Sequence, residues 1–283
     1  MLSVLTINAA IQDVRLLSRS FYRPLGYIDE RLPELASQIR EINADLVFVQ
    51  ELFHADYQKK IYTLLQSAYP FAAGFDSAGL KFRLGNELLV FSRYPLANGK
   101  LNRFSEASLE ERLFTSKGML CTDVTIPGTG KIQLVNFHVT AGGTRLHPEH
   151  PRMELVRSKQ IQQLLENINH GAPVILAGDL NAGPETSTAN YNQLLNAGFI
   201  DAFTTTGATG ISWDPENPLV AANRESHLPP QRIDHIFVNS AAVKLLNPVA
   251  GKVVMSSPGI YTRDRNMIPV SDHYGILVDF KPG

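Results

Sequence analysis

The stretch APVILAGDLNAGP, residues 172–184, joins a short apolar run to polar residues and turn residues. The apolar run predicts a buried strand, because a few consecutive apolar residues bounded by turn residues fit such a strand. Asp179 and Asn181 follow at alternate positions, and alternate residues of a strand point to the same face of a sheet. Gly183 and Pro184 then indicate a turn. The stretch therefore predicts a strand that ends in a carboxylate and an amide facing the same way.

The composition is that of a globular protein without a strong charge. Of the 283 residues, 44% are hydrophobic and 19% are charged, and the formal net charge is -1. A protein that binds nucleic acid mainly through a broad cationic surface is usually more basic. Neither an internal repeat nor a long flexible linker divides the chain. We therefore expect one domain over residues 1–283 and a monomer.

The cysteine content and the termini leave the cellular location open. Cys121 is the single cysteine, so no internal disulfide can form, which fits a reducing compartment without requiring one. No apolar run approaches the roughly 18 residues that a membrane-spanning helix needs. The first residues lack the basic and long apolar regions of a classical signal peptide. The expected location is the cytoplasm, or secretion without a visible classical signal peptide.

Strand-like runs alternate with a few amphipathic helices along the chain. Strands are predicted at residues 2–8, 45–51, 86–96, 118–126, 131–139, 174–177, 233–239 and 274–280. Helices are predicted at residues 29–43, 55–68, 154–169 and 188–198, where apolar residues recur at helical spacing. This mixture predicts two sheets that pack face to face with helices on their outer sides.

Several predicted strands end in a polar residue that the strand pattern does not require. These residues are Asn8, Glu51, His138, Asp179 with Asn181, Asp234, and Asp272 with His273. Each has an ordinary explanation on its own, because Asn and Asp often start turns and a histidine often completes a hydrogen bond. Together they indicate a functional site, because catalytic groups commonly lie at the ends of scaffold strands.

The segments around these residues resemble the endonuclease/exonuclease/phosphatase superfamily, the DNase I-like fold of metal-dependent phosphoesterases. The matching segments, in the order of the family, are TIN (6–8), VQE (49–51), LLVFSRYPL (88–96), NFH (136–138), GDLNAGP (178–184), RIDHIF (232–237) and SDHYG (271–275). GDLN is a modest signal alone and a strong one in combination with VQE and SDH. The resemblance covers essentially the whole chain. It implies an α+β fold, a four-layer sandwich of two mostly antiparallel sheets flanked by helices.

The resemblance also implies a metal-dependent phosphoric ester hydrolase. The oxygens of a phosphodiester are already negative, so its hydrolysis calls for a cation and an activated water. Mg²⁺ prefers oxygen ligands and keeps several waters, so one or two carboxylates suffice to hold it. By resemblance, Glu51 is the principal ligand of Mg²⁺, with Mn²⁺ as the alternative ion. Asn8 lies beside Glu51, and Asp272 is a further ligand.

The same resemblance implies catalytic roles for the remaining residues. Asp179 orients or deprotonates the attacking water, and Asn181 binds a phosphate oxygen as its charge develops. His138 and His273 donate hydrogen bonds to the phosphate from two sides.

Two further carboxylates are implied to hold these histidines. Asp234 fixes the tautomer of His273, and Glu87 does the same for His138. The residues alone leave alternatives open, because Asp234 could pair with Arg232 and Glu87 could be an exposed strand residue.

Three features bear on the branch of the family. NFH supplies a histidine that DNase I and the lipid and inositol phosphoesterases also have. Lys117 before Gly118 is similar to the Lys-Gly element of neutral sphingomyelinases, and Trp213 lies in a segment similar to their TWD…N segment. Lys117, Trp213 and Glu87 are therefore candidate substrate-binding residues, although Lys117 could be a turn residue and Trp213 a packing anchor.

These features favour a sphingomyelinase-like phosphodiesterase that cleaves a phospholipid head group. The alternatives are a nuclease of the same fold, acting on DNA or RNA, and an inositol or sugar phosphatase. A lipid substrate requires peripheral contact with a membrane, and residues 18–27, SRSFYRPLGY, form a basic and aromatic stretch that could provide it. No paired-aromatic loop equivalent to the exposed hairpin of the secreted sphingomyelinases is evident.

Overall fold

The strands form two six-stranded sheets and two short ribbons in a computed structural model of the chain. The structure describes residues 1–16, 19–75, 86–108, 111, 117–141, 150–221 and 228–283. For residues 14–16 and 19–22 it describes the backbone only. The strands are β1 (Leu2–Ile11), β2 (Val14–Leu16), β3 (Arg19–Tyr22), β4 (Leu46–Leu52), β5 (Phe71–Ala73), β6 (Leu89–Ser92), β7 (Leu96–Arg103), β8 (Gly118–Ile126), β9 (Gly130–His138), β10 (Val174–Asp179), β11 (Phe199–Asp201), β12 (Asp234–Asn239), β13 (Leu246–Val254), β14 (Ile260–Tyr261), β15 (Met267–Ile268) and β16 (Gly275–Pro282). The helices are α1 (Ile28–Ile42), α2 (Ala55–Leu65), α3 (Pro151–Glu166), α4 (Thr188–Asn196), α5 (Ala202–Thr205), α6 (Pro218–Ala221) and α7 (Ser240–Val243).

The two large sheets have the same kind of topology. The strand order is β13-β16-β1-β4-β6-β5 in the first sheet and β11-β12-β10-β9-β8-β7 in the second. Among the described strands, each sheet has one parallel pair at its centre, β1 with β4 and β9 with β10. All the other neighbouring strands run antiparallel. The prediction of two mostly antiparallel sheets is therefore confirmed.

Helices cover the outer face of each sheet and complete four layers. Leu35 and Ile39 of α1 pack on the first sheet, and Ile161 and Leu164 of α3 pack on the second. The inner faces meet in a separate apolar cluster. Full burial of such side chains stabilises the fold by about 1.5–3 kcal/mol each.

The inner faces of the central strands change from apolar to polar along their length. Because alternate residues share a face, the inner-face residues run Leu2, Val4, Thr6 and Asn8 in β1, Ile132, Leu134, Asn136 and His138 in β9, and Ile175, Ala177 and Asp179 in β10. The apolar ends form the core between the sheets. The polar ends lie together at one edge of both sheets.

A buried set of amides joins the two sheets just before the polar edge. Gln50 Nε2 donates to Asn136 Oδ1 across the sheets at 2.6 Å, and to Thr6 Oγ1 within the first sheet at 3.1 Å. Asn136 Nδ2 in turn donates to the main-chain oxygens of Val49 and Leu89 at 2.9 and 2.8 Å. Thr6, Gln50 and Asn136 have no exposed surface. We call these three residues the amide bridge.

The predicted strand over residues 86–96 is in fact two strands in different sheets. β6 ends at Ser92 in the first sheet, and β7 begins at Leu96 in the second. Ser92 Oγ donates to Tyr94 O at 2.8 Å and accepts from Tyr94 N at 2.9 Å, which closes a turn. Pro95 cannot donate to a ladder, so the strand stops before it. The chain uses this turn to cross between the sheets.

We expect Asn136→Ala to lower the free energy of unfolding by about 2–4 kcal/mol, because in a buried place it removes the acceptor of one Gln50 N–H group and the side-chain donor to two main-chain carbonyls. Urea unfolding measures this change. Asn247→Ala is the matched control, since Asn247 is exposed on β13 and such a change alters stability by about 0.5 kcal/mol at most. Equal losses in the two variants would contradict a structural role for the amide bridge.

Candidate active site

The polar ends of the two sheets bring most of the predicted site residues together. The residues that cluster there are Asn8, Glu51, Glu87, Lys117, His138, Asp179, Asn181, Asp234, Asp272 and His273. They lie on β1, β4, β9, β10 and β12, just before β6, β8 and β16, and just after β10. Distant parts of the sequence therefore share one site.

Asp179 lies at the centre of the cluster and is buried. Asn8 Nδ2 donates to its Oδ2 at 3.0 Å, and the main-chain N–H of Asn181 donates to its Oδ1 at 2.8 Å. His138 Nε2 lies 3.4 Å from Oδ2. Burial alone would raise the pKa of Asp179, but the charges of His138 and His273 outweigh burial and lower it. Asp179 is therefore ionised at neutral pH.

The end of β10 depends on a glycine and on an unusual backbone conformation. A Cβ atom at Gly178 would lie 2.0 Å from the carbonyl oxygen of Phe137, so β9 could not approach a larger residue this closely. β10 ends at Asp179, and Asn181 lies beyond it with φ of 49°. Asn tolerates this left-handed region better than most residues. Strand alternation therefore does not extend to Asn181, whose Nδ2 donates to Val139 O at 3.1 Å.

His138 lies between a buried carboxylate and a buried ammonium group. Its Nδ1 is 3.0 Å from Glu87 Oε2, and its Nε2 is 2.6 Å from Lys117 Nζ and 3.7 Å from Glu51 Oε1. Burial lowers the pKa of His138, but Glu87 and Asp179 raise it above its ordinary value. A neutral ring with its proton on Nδ1 leaves Nε2 free to accept from Lys117.

Glu87 pairs with His138 as the sequence predicted. It has no exposed surface, so it is not an exposed strand residue. Because Glu87 is buried, its side chain is not accessible to a substrate.

Lys117 belongs to the site and is not a solvated turn residue. Its side chain is only 9% exposed, and Nζ donates to Val139 O at 2.9 Å. Glu111 Oε1 lies 3.6 Å from the same ammonium group. No sequence motif marks Glu111 as a site residue.

His273 and Asp234 form a second buried pair. His273 Nδ1 is 2.8 Å from Asp234 Oδ2. Burial lowers the pKa of His273, but Asp234 and Asp179 raise it well above its ordinary value. The alternative prediction that Asp234 pairs with Arg232 is wrong, because Arg232 Nη1 pairs with Asp201 Oδ2 at 2.7 Å.

Glu51 and Asp272 form the side of the site that suits a cation. Glu51 has a left-handed backbone, with φ of 52°, and accepts a short hydrogen bond from Gln12 Nε2. Burial raises the pKa of Glu51, and Glu87 and Asp272 raise it further. A cation bound there would offset this repulsion between carboxylates, and oxygen donors suit hard divalent ions. The residues present therefore fit a divalent metal.

A second grouping could also hold a cation. One oxygen each from Asp179 and Asp234 and one ring nitrogen of His273 lie within 4.8 Å of one another, and all three residues are buried. The atoms are close enough either to share a metal or to pass a proton among them.

Two serines without a predicted role hold the site residues in place. Ser271 Oγ donates to Asn8 O at 2.6 Å and accepts from His273 N at 3.1 Å. Ser212 Oγ accepts from the main-chain N–H of Asp234 at 3.0 Å. Ser271 belongs to the SDH segment, so the motif could have marked it as a site residue. No motif marks Ser212 or Gln12.

Trp213 supports the site through its main chain. Its side chain is 4% exposed and packs with Val220, Leu228 and Ile233. Its backbone forms a β-bridge with His273. This arrangement fits the packing interpretation of Trp213 and positions the segment that carries His273.

An exposed hairpin, absent from the sequence-based expectation, precedes the SDH segment. β14 pairs with β15, and Tyr261 lies opposite Met267. These two side chains are 65% and 48% exposed, whereas Ile260 and Ile268 are buried in the cluster that contains α1. The hairpin therefore presents one aromatic and one flexible apolar side chain to the solvent. No helix in the described ranges has the length and apolar character to cross a membrane.

The basic and aromatic stretch over residues 18–27 is described only in part. Arg23 Nη2 lies 3.1 Å from Asp13 Oδ2, and the Tyr27 hydroxyl donates to Asp264 in the turn of the hairpin. The side chains of Phe21 and Tyr22 lie outside the described part of the chain.

The fold and the site define a phosphoric ester hydrolase. The chain belongs to the Endonuclease/Exonuclease/phosphatase family, whose model matches residues 26–273. It is 27% identical over 227 residues to the uncharacterized protein YbhP of Escherichia coli K12. The aligned region covers 75% of this chain and 78% of YbhP.

Two solved structures have the same fold at 19% identity. One is sphingomyelinase C from Streptomyces griseocarneus, with a TM-score of 0.78 and 98% of each chain covered. The other is a beta toxin mutant from Staphylococcus aureus with bound magnesium ions, with a TM-score of 0.78 and 99% of each chain covered.

We expect Asp234→Asn to move the alkaline limb of the kcat/KM profile to lower pH. His273 stays protonated to a higher pH because of Asp234, so removal of this charge lowers the pKa of His273. Hydrolysis of bis(4-nitrophenyl) phosphate across the pH range measures the shift. Asp123→Asn on β8, whose native carboxylate pairs with Lys131 at the surface, is expected to leave the profile unchanged. An unmoved alkaline limb in Asp234→Asn would mean that His273 is not the titrating group.

Proposed function

We propose that this protein is a Mg²⁺-dependent phosphodiesterase that cleaves a phospholipid head group in the manner of a sphingomyelinase. The observation that carries the proposal is the placement of the ionised Asp179 carboxylate close to two histidines, each backed by its own buried carboxylate. Such a site can hold a water, receive its proton and supply another proton to the leaving group.

Glu51 and Asp272 would hold the magnesium ion, with Asn8 beside them. When bound, the ion neutralises charge on the phosphate oxygens and favours ionisation of water. Oxygen donors support the choice of Mg²⁺, with Mn²⁺ as the alternative. The magnesium-bound beta toxin of the same fold supports it as well.

The grouping of Asp179, Asp234 and His273 serves better as an acid–base set than as a metal site. His273 Nδ1 is already hydrogen-bonded to Asp234 Oδ2, so that nitrogen is not available to a metal. The raised pKa of His273 also favours a protonated ring, which cannot bind a cation.

Asp179 acts on the attacking water. Its carboxylate accepts a hydrogen bond from the water and receives the proton as the water oxygen bonds to phosphorus. Asn8 and the N–H of Asn181 hold the two carboxylate oxygens, so the orientation of the group is fixed before the substrate binds. The low pKa of Asp179 makes orientation of the water its first task.

The other side chains act on the phosphate and on the leaving group. As the bond from phosphorus to the leaving oxygen breaks, the protonated His273 donates a proton to that oxygen. Lys117 Nζ contacts His138 Nε2 and can donate to a phosphate oxygen, and His138 can donate to the phosphate through Nε2 when its ring is protonated. Asn181 donates to another oxygen as negative charge develops.

The hairpin supports a lipid substrate over a nucleic acid. Tyr261 and Met267 form an exposed apolar pair, with Arg263 and Arg265 in the turn between them. Aromatic and apolar side chains beside basic groups suit a membrane surface. The net charge of -1 does not favour a phosphate-binding surface for nucleic acid. A nuclease is the second candidate, because the site chemistry would serve either diester.

A substrate panel tests the proposed function. With Mg²⁺, we expect hydrolysis of sphingomyelin in vesicles to exceed that of DNA, RNA and inositol phosphates. Chelation with EDTA is expected to abolish it. Asp179→Ala is expected to reduce kcat about a thousandfold or more, because a group that acts on the reacting water is lost.

A hairpin variant separates membrane contact from chemistry. Substitution of Tyr261 and Met267 together by serine is expected to slow vesicle hydrolysis and leave bis(4-nitrophenyl) phosphate hydrolysis unchanged. Leu155→Ser is the matched control, because Leu155 is 57% exposed on α3. Salt-sensitive cleavage of DNA or RNA, with no turnover of any choline-phosphate lipid, would replace the lipid proposal by the nuclease.

A further inference from the structure

Arg31 of α1 is a buried cation that binds the main chain on two sides. Its Nη2 donates to Ala9 O at 2.7 Å, its Nη1 to Ala10 O at 3.1 Å, and its Nε to Val270 O at 2.8 Å. The side chain has no exposed surface. Among the described residues, no carboxylate lies within 4.0 Å of it, so its hydrogen bonds go to carbonyl groups.

The carbonyl groups that Arg31 binds belong to two chain segments of the site. Ala9 and Ala10 follow Asn8 directly, and Val270 precedes Asp272 by two residues. The guanidinium group has several donors in a rigid plane, so it can fix the distance between these segments. Burial lowers the pKa of Arg31 to about 10, while the carboxylates of Asp272 and Glu51 favour its charged form. Arg31 therefore remains a cation near both carboxylates.

Arg157 of α3 has an equivalent position on the second sheet. It has no exposed surface, its Nε donates to Thr140 O at 3.1 Å, and its Nη1 donates to Ser187 Oγ at 2.8 Å. Thr140 lies two residues beyond His138, and Ser187 lies in the segment between Asn181 and α4. Each helix layer thus supplies one buried arginine to the site end of its own sheet.

We propose that Arg31 is a positioning residue for Asn8 and Asp272 on the metal side of the site, and that Arg157 is its counterpart for His138 and Asn181. Neither arginine touches the substrate. Arg31 holds the segments of the first sheet at the spacing that a cation needs, and Arg157 holds the phosphate-facing groups of the second. This inference rests on the proposed function, because it divides the site into a metal side and a phosphate side.

Calorimetric titration of the whole protein with Mg²⁺, without substrate, tests this division. We expect Arg31→Lys to bind Mg²⁺ about tenfold more weakly than the wild type, since residues that orient metal ligands have effects of this size. Arg157→Lys is expected to bind Mg²⁺ like the wild type and to hydrolyse bis(4-nitrophenyl) phosphate about tenfold more slowly at saturating Mg²⁺. Arg40→Lys, at an exposed position of α1, is the control for a change on the same helix and is expected to match the wild type in both.

The outcomes separate this inference from the proposed function. Wild-type protein that binds no Mg²⁺ would overturn both. If the wild type binds Mg²⁺ and the Arg31→Lys variant binds it with the same affinity, the inference alone is overturned. An equal loss of Mg²⁺ affinity in both arginine variants would also overturn the inference alone. If Arg31→Lys does not fold, Arg31→Gln replaces it, and amide hydrogen exchange serves as the second readout. Faster exchange confined to residues 8–11 and 270–273 supports the role of Arg31, and unchanged exchange there contradicts it.

Discussion

The hydrogen bond from Gln50 to Asn136 is the contact on which the geometry of the site depends. It joins the two sheets one step before their polar edge. Glu51 directly follows Gln50, and His138 lies two residues beyond Asn136 on the same face of β9. Any slippage between the sheets would therefore move Glu51 relative to His138. A buried amide pair resists slippage because separation leaves polar groups without partners.

The second constraint is the balance of charge in a space with little water. Glu51, Glu87, Asp179 and Asp234 are buried or nearly so, and Lys117 and His273 are the cationic partners, with the His138 ring between Lys117 and Glu87. Paired charges lower the pKa of Asp179 and raise that of His273, which favours the ionised and protonated states that the proposed water attack and leaving-group protonation require. Burial strengthens these interactions, because the effective dielectric constant inside a protein is lower than in water. In the proposed function, these charges are in place before an anionic diester binds.

The sequence was sufficient for the parts of the structure that rest on local patterns. Apolar alternation and helical spacing predicted the central strands and the long helices, and polar strand ends marked Asn8, Glu51, His138 and Asp179. The patterns could not predict β7 or β13, whose sequences LANGKLNR and LNPVAGKVV contain turn-type residues. They also missed Arg31, Ser212 and Gln12, because these residues gain their roles from contacts between distant segments. Asn181 illustrates the limit of strand alternation, since its position depends on a left-handed turn beyond the strand.

The central claim is that Glu51 on the first sheet and Asp179 on the second act on one phosphodiester. The most direct measurement is a double-mutant cycle with Glu51→Gln and Asp179→Ala, read as kcat/KM for bis(4-nitrophenyl) phosphate with saturating Mg²⁺. Groups that act as a unit lose activity non-additively. We therefore predict that the double variant is about as slow as the slower single variant. Losses that multiply, or a single variant with wild-type activity, would contradict the account.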